Sequence, residues 1–525
     1  MAAKRQRPSE PPAIADDDAE KRYDEIPYLG QPHPTTHPDR LAVVAGLNGF
    51  DPQPIETARV LEVGCGDGAN LVPMSLTLPE SEFVGIDVAG DPIRRGNKLV
   101  RRLELKNVKL IHTDLQAFPG KLGKFDYIIA HGLYSWTPLP IRDALFELCR
   151  TTLTDRGVAY VSYSTNPGGH IRKMLREMMN FHAGGIEDPL ARAAQARALA
   201  GFIAQGASAV PAQAAYADLM AEEAARLAGR TDAHIYHDDL APNSDFIYFT
   251  QFVSHAARHG LQYLGEAEHF ETDEEKFGEE VGKSLRDLAS RDVILKEQYL
   301  DFLTCRVFRK TLLCRQEVRL KRGIDPNTIV PFYVSCDARQ EVVEGSPEEA
   351  NLTFVSPRNG SVTLSHPVLI AAMECLAAEY PGSVQFARLV DSAIEKAGEA
   401  SGKRYEEIRR IAEFVYRSYG AGFVELSTRN TPFATTPGER PEASPLARVQ
   451  TEDGEVVTSL RHDEVRVGDK RGRTLLQLLD GTRTSDQLAA EIPLAEPPSE
   501  GETTRPVDDV GGMLDTFARA GLLLR

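Results

Sequence analysis

The chain is 525 residues long, with 60 Lys and Arg against 77 Asp and Glu, a formal net charge of -17 and 42% hydrophobic residues, enough apolar content for several domains with separate cores. That acidity argues against a general nucleic-acid binder, whose affinity rests on clustered Lys and Arg, and fits a basic protein or amine-bearing partner better. The 6 cysteines lack CxxC spacing, which argues against zinc or disulfide frameworks, leaves no metal expected and points to a reducing cytoplasm, and no apolar run approaches the roughly 18 residues of a membrane span.

Residues 1–20 begin with Lys4 to Arg7, continue through Asp16-Asp17-Asp18 and contain no apolar stretch for export, so they read as a disordered tail. Residues 21–183 hold the most informative segment. Val60-Leu61-Glu62-Val63 is a strand candidate running into Gly64-Cys65-Gly66-Asp67-Gly68-Ala69-Asn70, and Phe83-Val84-Gly85-Ile86-Asp87 is a second strand ending in an acid. Glycines permit a sharp turn and close approach to a ligand, and the acid about twenty positions on is placed to accept hydrogen bonds from ribose hydroxyls. The glycine spacing is not the G-x-G-x-x-G that cradles a pyrophosphate, and Glu62 in the preceding strand suits a ligand with positive charge. S-adenosylmethionine offers a ribose, an adenine, a zwitterionic methionine tail and a sulfonium, and no phosphate.

The beat continues along the chain. Residues 108–112 are a third strand leading to Thr113-Asp114-Leu115, residues 125–132 a fourth ending at His131-Gly132, and residues 157–163 a fifth, with a helix over 140–153 between the last two. Strands alternating with helices give a parallel, doubly wound α/β sheet. Residues 189–230 are alanine-rich and helical, and 245–260 form an amphipathic helix stopped by Gly260. Residues 261–267 and 306–313 read as two further strands. The segment 184–320 is therefore expected to be a helical insert and regulatory-type region that completes the catalytic sheet, with a separate regulatory domain as the competing parse. Residues 321–430 form a mixed, mostly helical middle domain, 431–447 a linker rich in Pro, Thr and Ser, and 448–525 a winged-helix-like module. That module is acidic, so protein contact or packing is expected of it rather than DNA binding.

Glu62-x-Gly64-x-Gly66-x-Gly68 with Asp87 resembles the first two motifs of the class I methyltransferases. Tyr23-Asp24-Glu25-Ile26-Pro27-Tyr28, His37-Pro38, Asn70-Leu71-Val72-Pro73-Met74 and His131-Gly132-Leu133-Tyr134-Ser135-Trp136-Thr137-Pro138 together resemble bacterial methyltransferases with a methyltransferase regulatory domain, a group that includes rickettsial protein-lysine methyltransferases. Tyr236 to Leu240, His259 to Leu264, Glu297 to Phe302 and Phe308 to Leu313 are similar to that domain's signature, and Leu478 to Arg483 extends the likeness weakly to the C-terminus. The resemblance implies a Rossmann-like seven-stranded sheet and a cofactor site of Tyr28, Glu62, Gly64, Gly66, Gly68, Asn70, Asp87, Val88, Asp114, Leu115, His131 and Gly132. Tyr28 and His37 are expected as a lid. Tyr134, Trp136 and His131 are the candidate catalytic side chains, and Tyr134, Trp136, Ser164 and Asn166 the candidate acceptor contacts.

Each has a plainer alternative: Tyr134 and Trp136 pack the loop, His131 bonds it, His37 lies on the surface, and Asp238-Asp239 is a helix cap or surface pair. One departure matters. Where the family pattern reads Ser-Tyr-Asn-Thr-Tyr-Pro-Gly-Trp, this chain has Ser162-Tyr163-Ser164-Thr165-Asn166-Pro167-Gly168-Gly169, so the acceptor is in doubt while the cofactor is not. The leading expectation is an S-adenosylmethionine-dependent methyltransferase acting on a protein side chain, lysine by resemblance. Methylation of a small molecule or natural product, and a regulatory module that holds the cofactor without turnover, are the alternatives. The oligomeric state stays open, with a homodimer as one option.

Overall fold

The computed structural model describes residues 26, 28, 30–117, 122–241, 244–322, 325–341, 351–357, 360–398, 403–492 and 509–525. The expected tail over 1–20, and Tyr23 to Glu25 with Pro27, lie outside these residues.

A seven-stranded sheet forms the catalytic core. Its strands are β1 (Arg59–Val63), β2 (Glu82–Asp87), β3 (Val108–His112), β4 (Phe125–Ala130), β5 (Leu153–Ser164), β6 (Leu261–Glu266) and β7 (Phe308–Arg315), in the order β3-β2-β1-β4-β5-β7-β6. The first five run parallel, and β7 is antiparallel to both β5 and β6. β1, β4 and most of β5 are buried along their length, as parallel strands covered on both faces must be. One face is covered by helices Pro38–Leu47, Leu71–Thr77 and Gly90–Arg102, the other by Leu139–Thr152 and Phe249–Arg258. Register aligns Val63 with Ile86, Asp87 with His112 and Ala130 with Val161, so the carboxyl ends finish on one edge. The strand order reverses between β1 and β4, and such a switch point opens a crevice outside those ends.

Residues 261–267 and 306–313 thus supply the sixth and seventh strands. Between β5 and β6 the alanine-rich stretch forms helices Pro189–Ser208 and Ala214–Ala228, which pack with Gly169–Ala183 around a small core including Ala193, Ala196 and Ala200. Asp238 and Asp239 neither cap a helix nor lie free on the surface. Arg226 donates to Asp239 at 2.9 Å, Arg230 pairs with Asp238, and Arg226 also holds Glu223 at 2.9 Å, so the pair ties the insert to the turn that follows it.

Among the described residues the remaining chain has two further cores. One surrounds helices Pro367–Glu379, Phe386–Ala397 and Arg404–Gly420 and includes Val43 and Leu47, so helix Pro38–Leu47 belongs to this core as well as the catalytic one. The other collects helices Pro445–Asp453, Lys470–Leu478, Ser485–Glu491 and Val510–Arg519 with the antiparallel pair Val456–Thr458 and Glu464–Arg466, the wing of a winged helix. The stretch expected as a linker is not a free tether. Thr431, Phe433, Ala443, Ser444, Leu446 and Ala447 are buried, Ala434 N–H donates to Leu523 O, and helix Pro445–Asp453 begins inside it. Its Pro and Thr content reflects an irregular backbone, with the amides of Ala434, Ala443 and Ser444 donating to Leu523, Leu479 and Leu522 of the C-terminal module and Thr431 bonding Ser383.

Candidate functional site

The crevice at the switch point is floored by the turn after β1. Gly64, Gly66 and Gly68 all have left-handed backbone, with φ of 77°, 55° and 78°, a region that side chains with a Cβ disfavour. A Cβ on Gly66 would point into open space, and the same holds at Gly132 beyond β4, where φ is 65°. The turn is held by Asp87, whose Oδ2 accepts from Gly66 N–H at 2.7 Å and whose Oδ1 accepts from Ala89 N–H at 2.8 Å. Burial pushes the Asp87 carboxyl above the usual range, against the pull of those amides.

Glu62 is the electrostatic centre. It is 3% exposed, its Oε1 accepts from Asn70 Nδ2 at 2.7 Å, and its Oε2 is buried with no hydrogen-bond partner in the structure. Burial, opposed by the Asn70 bond and reinforced by Asp87 and Asp67, pushes its carboxyl up to about 8. A buried acceptor left open costs free energy, and the cheapest complement is a cationic donor such as an ammonium. That chemistry fits the methionine tail of S-adenosylmethionine, and the open space over Gly66 and Gly132 gives the ligand room.

The rim is built from separate segments. Val88 is partly exposed at the start of the β2 loop, and its carbonyl bonds the His112 ring at 2.9 Å. Asp114 follows β3, with Oδ1 accepting from Gln116 N–H, while Leu115 packs against the core below β4. Across the crevice, His131 Nδ1 lies 2.9 Å from the Tyr160 hydroxyl and Gly132 N–H donates to Ser162 Oγ at 2.8 Å. The His131 ring stacks on His33 at 3.8 Å between centroids. Burial, with His33 and Lys310 nearby, pushes the His131 imidazole well below its ordinary value, and burial brings His33 down to about 4, so both rings are neutral near pH 7.

The segment before helix Pro38–Leu47 crosses the glycine turn. A Cβ on Gly30 would lie 2.6 Å from Asp67 Oδ1, and His33 N–H donates to Asn70 Oδ1 at 2.8 Å. Tyr28 rests on the region after the insert, with its ring 5.1 Å from His234 and 5.6 Å from His237. His37 caps its helix, accepting from Asp39 N–H at 3.2 Å.

Tyr134 is not where the motif suggested. It is 3% exposed, its ring packs on Phe146 and Phe252, Arg142 lies over it at 5.1 Å, and its hydroxyl bonds His255 Nδ1 at 2.8 Å. The short helical turn Tyr134–Trp136 drives this first residue into the core beneath β4 and β5, so it supports the loop and does not wall the crevice. Trp136 is only partly buried, and its indole N–H has no partner in the structure.

Ser164 and Asn166 are both tied into the fold: the Ser164 backbone N–H donates to Ser135 Oγ at 2.8 Å, and the Asn166 side chain donates through Nδ2 to Phe246 O at 2.9 Å, leaving Asn166 Oδ1 without a partner. Gly169 is filled from outside, since a Cβ there would meet the Phe246 side chain at 2.4 to 2.6 Å. Residues 132–137, 162–169 and 245–247 thus form one stitched wall.

Three contributors escaped the motif reading. Gly96 carries helix Gly90–Arg102 so close that a Cβ would sit 2.2 Å from Asp67 O. His33 lies one turn ahead of the residue the spacing singled out. His462, 392 residues from Asn70 in sequence, reaches Asn70 Oδ1 at 2.8 Å. Only the glycine, falling on the face of a helix that follows the acid of β2, carried a local signal.

Known proteins resemble the chain in domain sequence and in fold. Residues 60–157 match the family model described as "Methyltransferase domain", residues 231–315 the "Predicted methyltransferase regulatory domain", and residues 439–504 the "PKMT, C-terminal winged helix domain". The uncharacterized protein RP789 of Rickettsia prowazekii is 36% identical over 312 residues, covering 59% of this chain and 56% of that protein. The uncharacterized protein RP028 of the same organism is 33% identical over 242 residues, 46% of this chain and 96% of the relative. Among solved structures, PKMT2 from Rickettsia typhi in complex with AdoHcy superposes with a TM-score of 0.85 at 26% identity, over 95% of this chain and 100% of that one. The match with RP789 spans little more than half of that relative's length.

Proposed function

Because the chain belongs to the family of S-adenosylmethionine-dependent methyltransferases that join a class I catalytic sheet to a methyltransferase regulatory domain and a PKMT-type winged helix, we propose that it methylates the side-chain amine of lysine in a protein substrate. The observation that carries the cofactor half of the reading is the buried, open Oε2 of Glu62 beside the glycine turn, and the acceptor half is supported by the likeness to the PKMT winged helix and to PKMT2.

In this reading Glu62 binds the ammonium of the methionine tail, Asp87 the ribose hydroxyls, and Val88, Asp114 and Leu115 the adenine. Asn70 holds Glu62, Gly66 and Gly132 keep the backbone clear of the ligand, and Gly64 and Gly68 let the turn that frames it close on Leu133, Leu110 and Val72. Bound S-adenosylmethionine supplies a methyl group on a sulfonium, an electrophile with its leaving group built in. The protein's contribution is therefore placement, which for well-oriented reactants is worth about 7–11 kcal/mol at best.

His131 is not the base. An imidazole held far below its ordinary value cannot strip a lysine ammonium of pKa about 10.4, so the amine has to shed its proton to water on entering a desolvated site. His131 and Tyr160 then orient the neutral amine at the end of β4, with Trp136 on the wall. An acceptor carried on a basic protein suits a chain of net charge -17. Among the described residues no helix is long and apolar enough to cross a membrane, and a cytoplasmic site of action is part of the proposal.

The test is transfer from methyl-labelled cofactor into fractionated lysate. Protease-sensitive label, recovered after hydrolysis as methyl-lysine, is expected. Label confined to small molecules would instead assign a small-molecule acceptor.

A further inference from the structure

The wing of the C-terminal domain ends in a turn that does not face solvent. His462 lies between strands Val456–Thr458 and Glu464–Arg466, is 3% exposed and has φ of 66°, a left-handed conformation uncommon outside glycine. Its amide donates to Ser459 O at 3.0 Å, while Leu460 N–H donates to Gly521 O at 2.8 Å, so the turn is fixed from within its own domain. The imidazole leaves that domain: Nε2 lies 2.8 Å from Asn70 Oδ1, and the ring stands edge-on to His37 at 5.5 Å.

The bonds around Asn70 show what this contact does. Asn70 Nδ2 donates to Glu62 Oε1 at 2.7 Å and to Thr36 Oγ1 at 3.0 Å, whose own hydroxyl donates to His33 O at 2.8 Å. On the other side Oδ1 accepts from His33 N–H and from His462. The carboxamide thus has both donors and both acceptor positions used. Turning it over would set its N–H groups against two donors and its oxygen against Glu62. His462 donates from Nε2 as the neutral tautomer: Nδ1 is buried with no hydrogen-bond partner, and burial, with His37 and His33 nearby, holds the ring well below its ordinary protonation range.

We propose that the winged-helix domain completes the cofactor site, with His462 as a positioning residue that acts through Asn70 to fix Glu62. The wing of this acidic module then serves the methyl donor's binding site and not a nucleic acid. The inference rests on Glu62 facing the cofactor.

The experiment measures cofactor affinity by calorimetry, with kcat at saturating cofactor, for the full chain and its variants. His462→Phe fills the space without a donor and is expected to weaken binding about tenfold or more while kcat at saturation holds. His462→Gln, which restores a donor, is expected to recover affinity. In an Asn70→Ala background, His462→Phe is expected to cost nothing further, since its effect travels through Asn70. Affinity within about twofold of wild type for a folded His462→Phe, or a loss that adds fully to that of Asn70→Ala, overturns the proposal. Should His462→Phe not fold, His462→Met is read in the same way. A wild-type chain that binds no cofactor refutes the Glu62 site itself, an outcome distinct from wild-type binding that ignores His462.

Discussion

At the glycine turn one carboxylate sets the electrostatics. Glu62 was legible in the sequence because an acid two residues before the glycines, inside an apolar strand, has no structural task there, and its open Oε2 now gives it a chemical one. Its raised pKa fixes a sign. Between its ordinary value near 4.5 and about 8 the folded, ligand-free protein holds a proton that the unfolded chain has released, so this group makes stability fall as pH rises through that window. An ammonium ligand favours the carboxylate, so cofactor binding near pH 7 is expected to expel a proton. Calorimetry in buffers of different ionisation enthalpy should show that release in the wild type and lose it in Glu62→Gln, which should also bind more weakly. The same release from the variant would assign the proton elsewhere.

Elements decide which motif residues reach the crevice. Strands β1, β2, β4 and β5 were readable because parallel strands buried on both faces leave near-continuous apolar runs, and edge strand β3 alternates buried Val108 and Leu110 with exposed Lys109. Tyr134 was misplaced because a loop motif fixes spacing and not direction: one short helical turn sends Tyr134 into the core. Gly96 was missed because its constraint is a contact between elements. Gly96→Ala brings a Cβ to 2.2 Å from Asp67 O, so the helix or the glycine turn must shift; the expected result is an affinity loss larger than the stability loss, read by calorimetry beside thermal melting.

A second element-scale feature is Arg309 on β7. It is fully buried, donating to Glu266 at 2.5 Å and Asp301 at 2.8 Å, with Glu297 at 3.3 Å and the Phe249 ring at 4.0 Å. It fastens helix Val293–Thr304 to the sheet. Arg309→Met takes the central cation from three buried carboxylates; Asp301 keeps Arg306 at 3.0 Å and Glu297 keeps Lys296 at 3.7 Å, while Glu266 loses its ion-pair partner, and removing one partner of such a network costs about 3–5 kcal/mol. Denaturation should show a loss of that size; a loss under about 1 kcal/mol is what a solvated surface pair would give.

Across the whole molecule, domain identities were more legible than domain contacts. The sheet, insert and winged helix each leave periodic patterns, but the approach of His462 to Asn70 across 392 residues leaves none, since no local rule couples a wing turn to a glycine loop. The same blindness turned 431–447 into a linker: composition reports the backbone's irregularity and not the surface it packs on. The acceptor is a whole-molecule question too, because the wall beside His131 draws on residues 132–137, 162–169 and 245–247 together, with Phe246 covering Gly169.

The most direct measurement is mass spectrometry of protein substrates after incubation with cofactor carrying a deuterated methyl group. The account predicts labelled methyl on lysine Nζ that disappears with Glu62→Gln at limiting cofactor. Label on any other side chain, or none on protein while the cofactor binds and turns over, would contradict it.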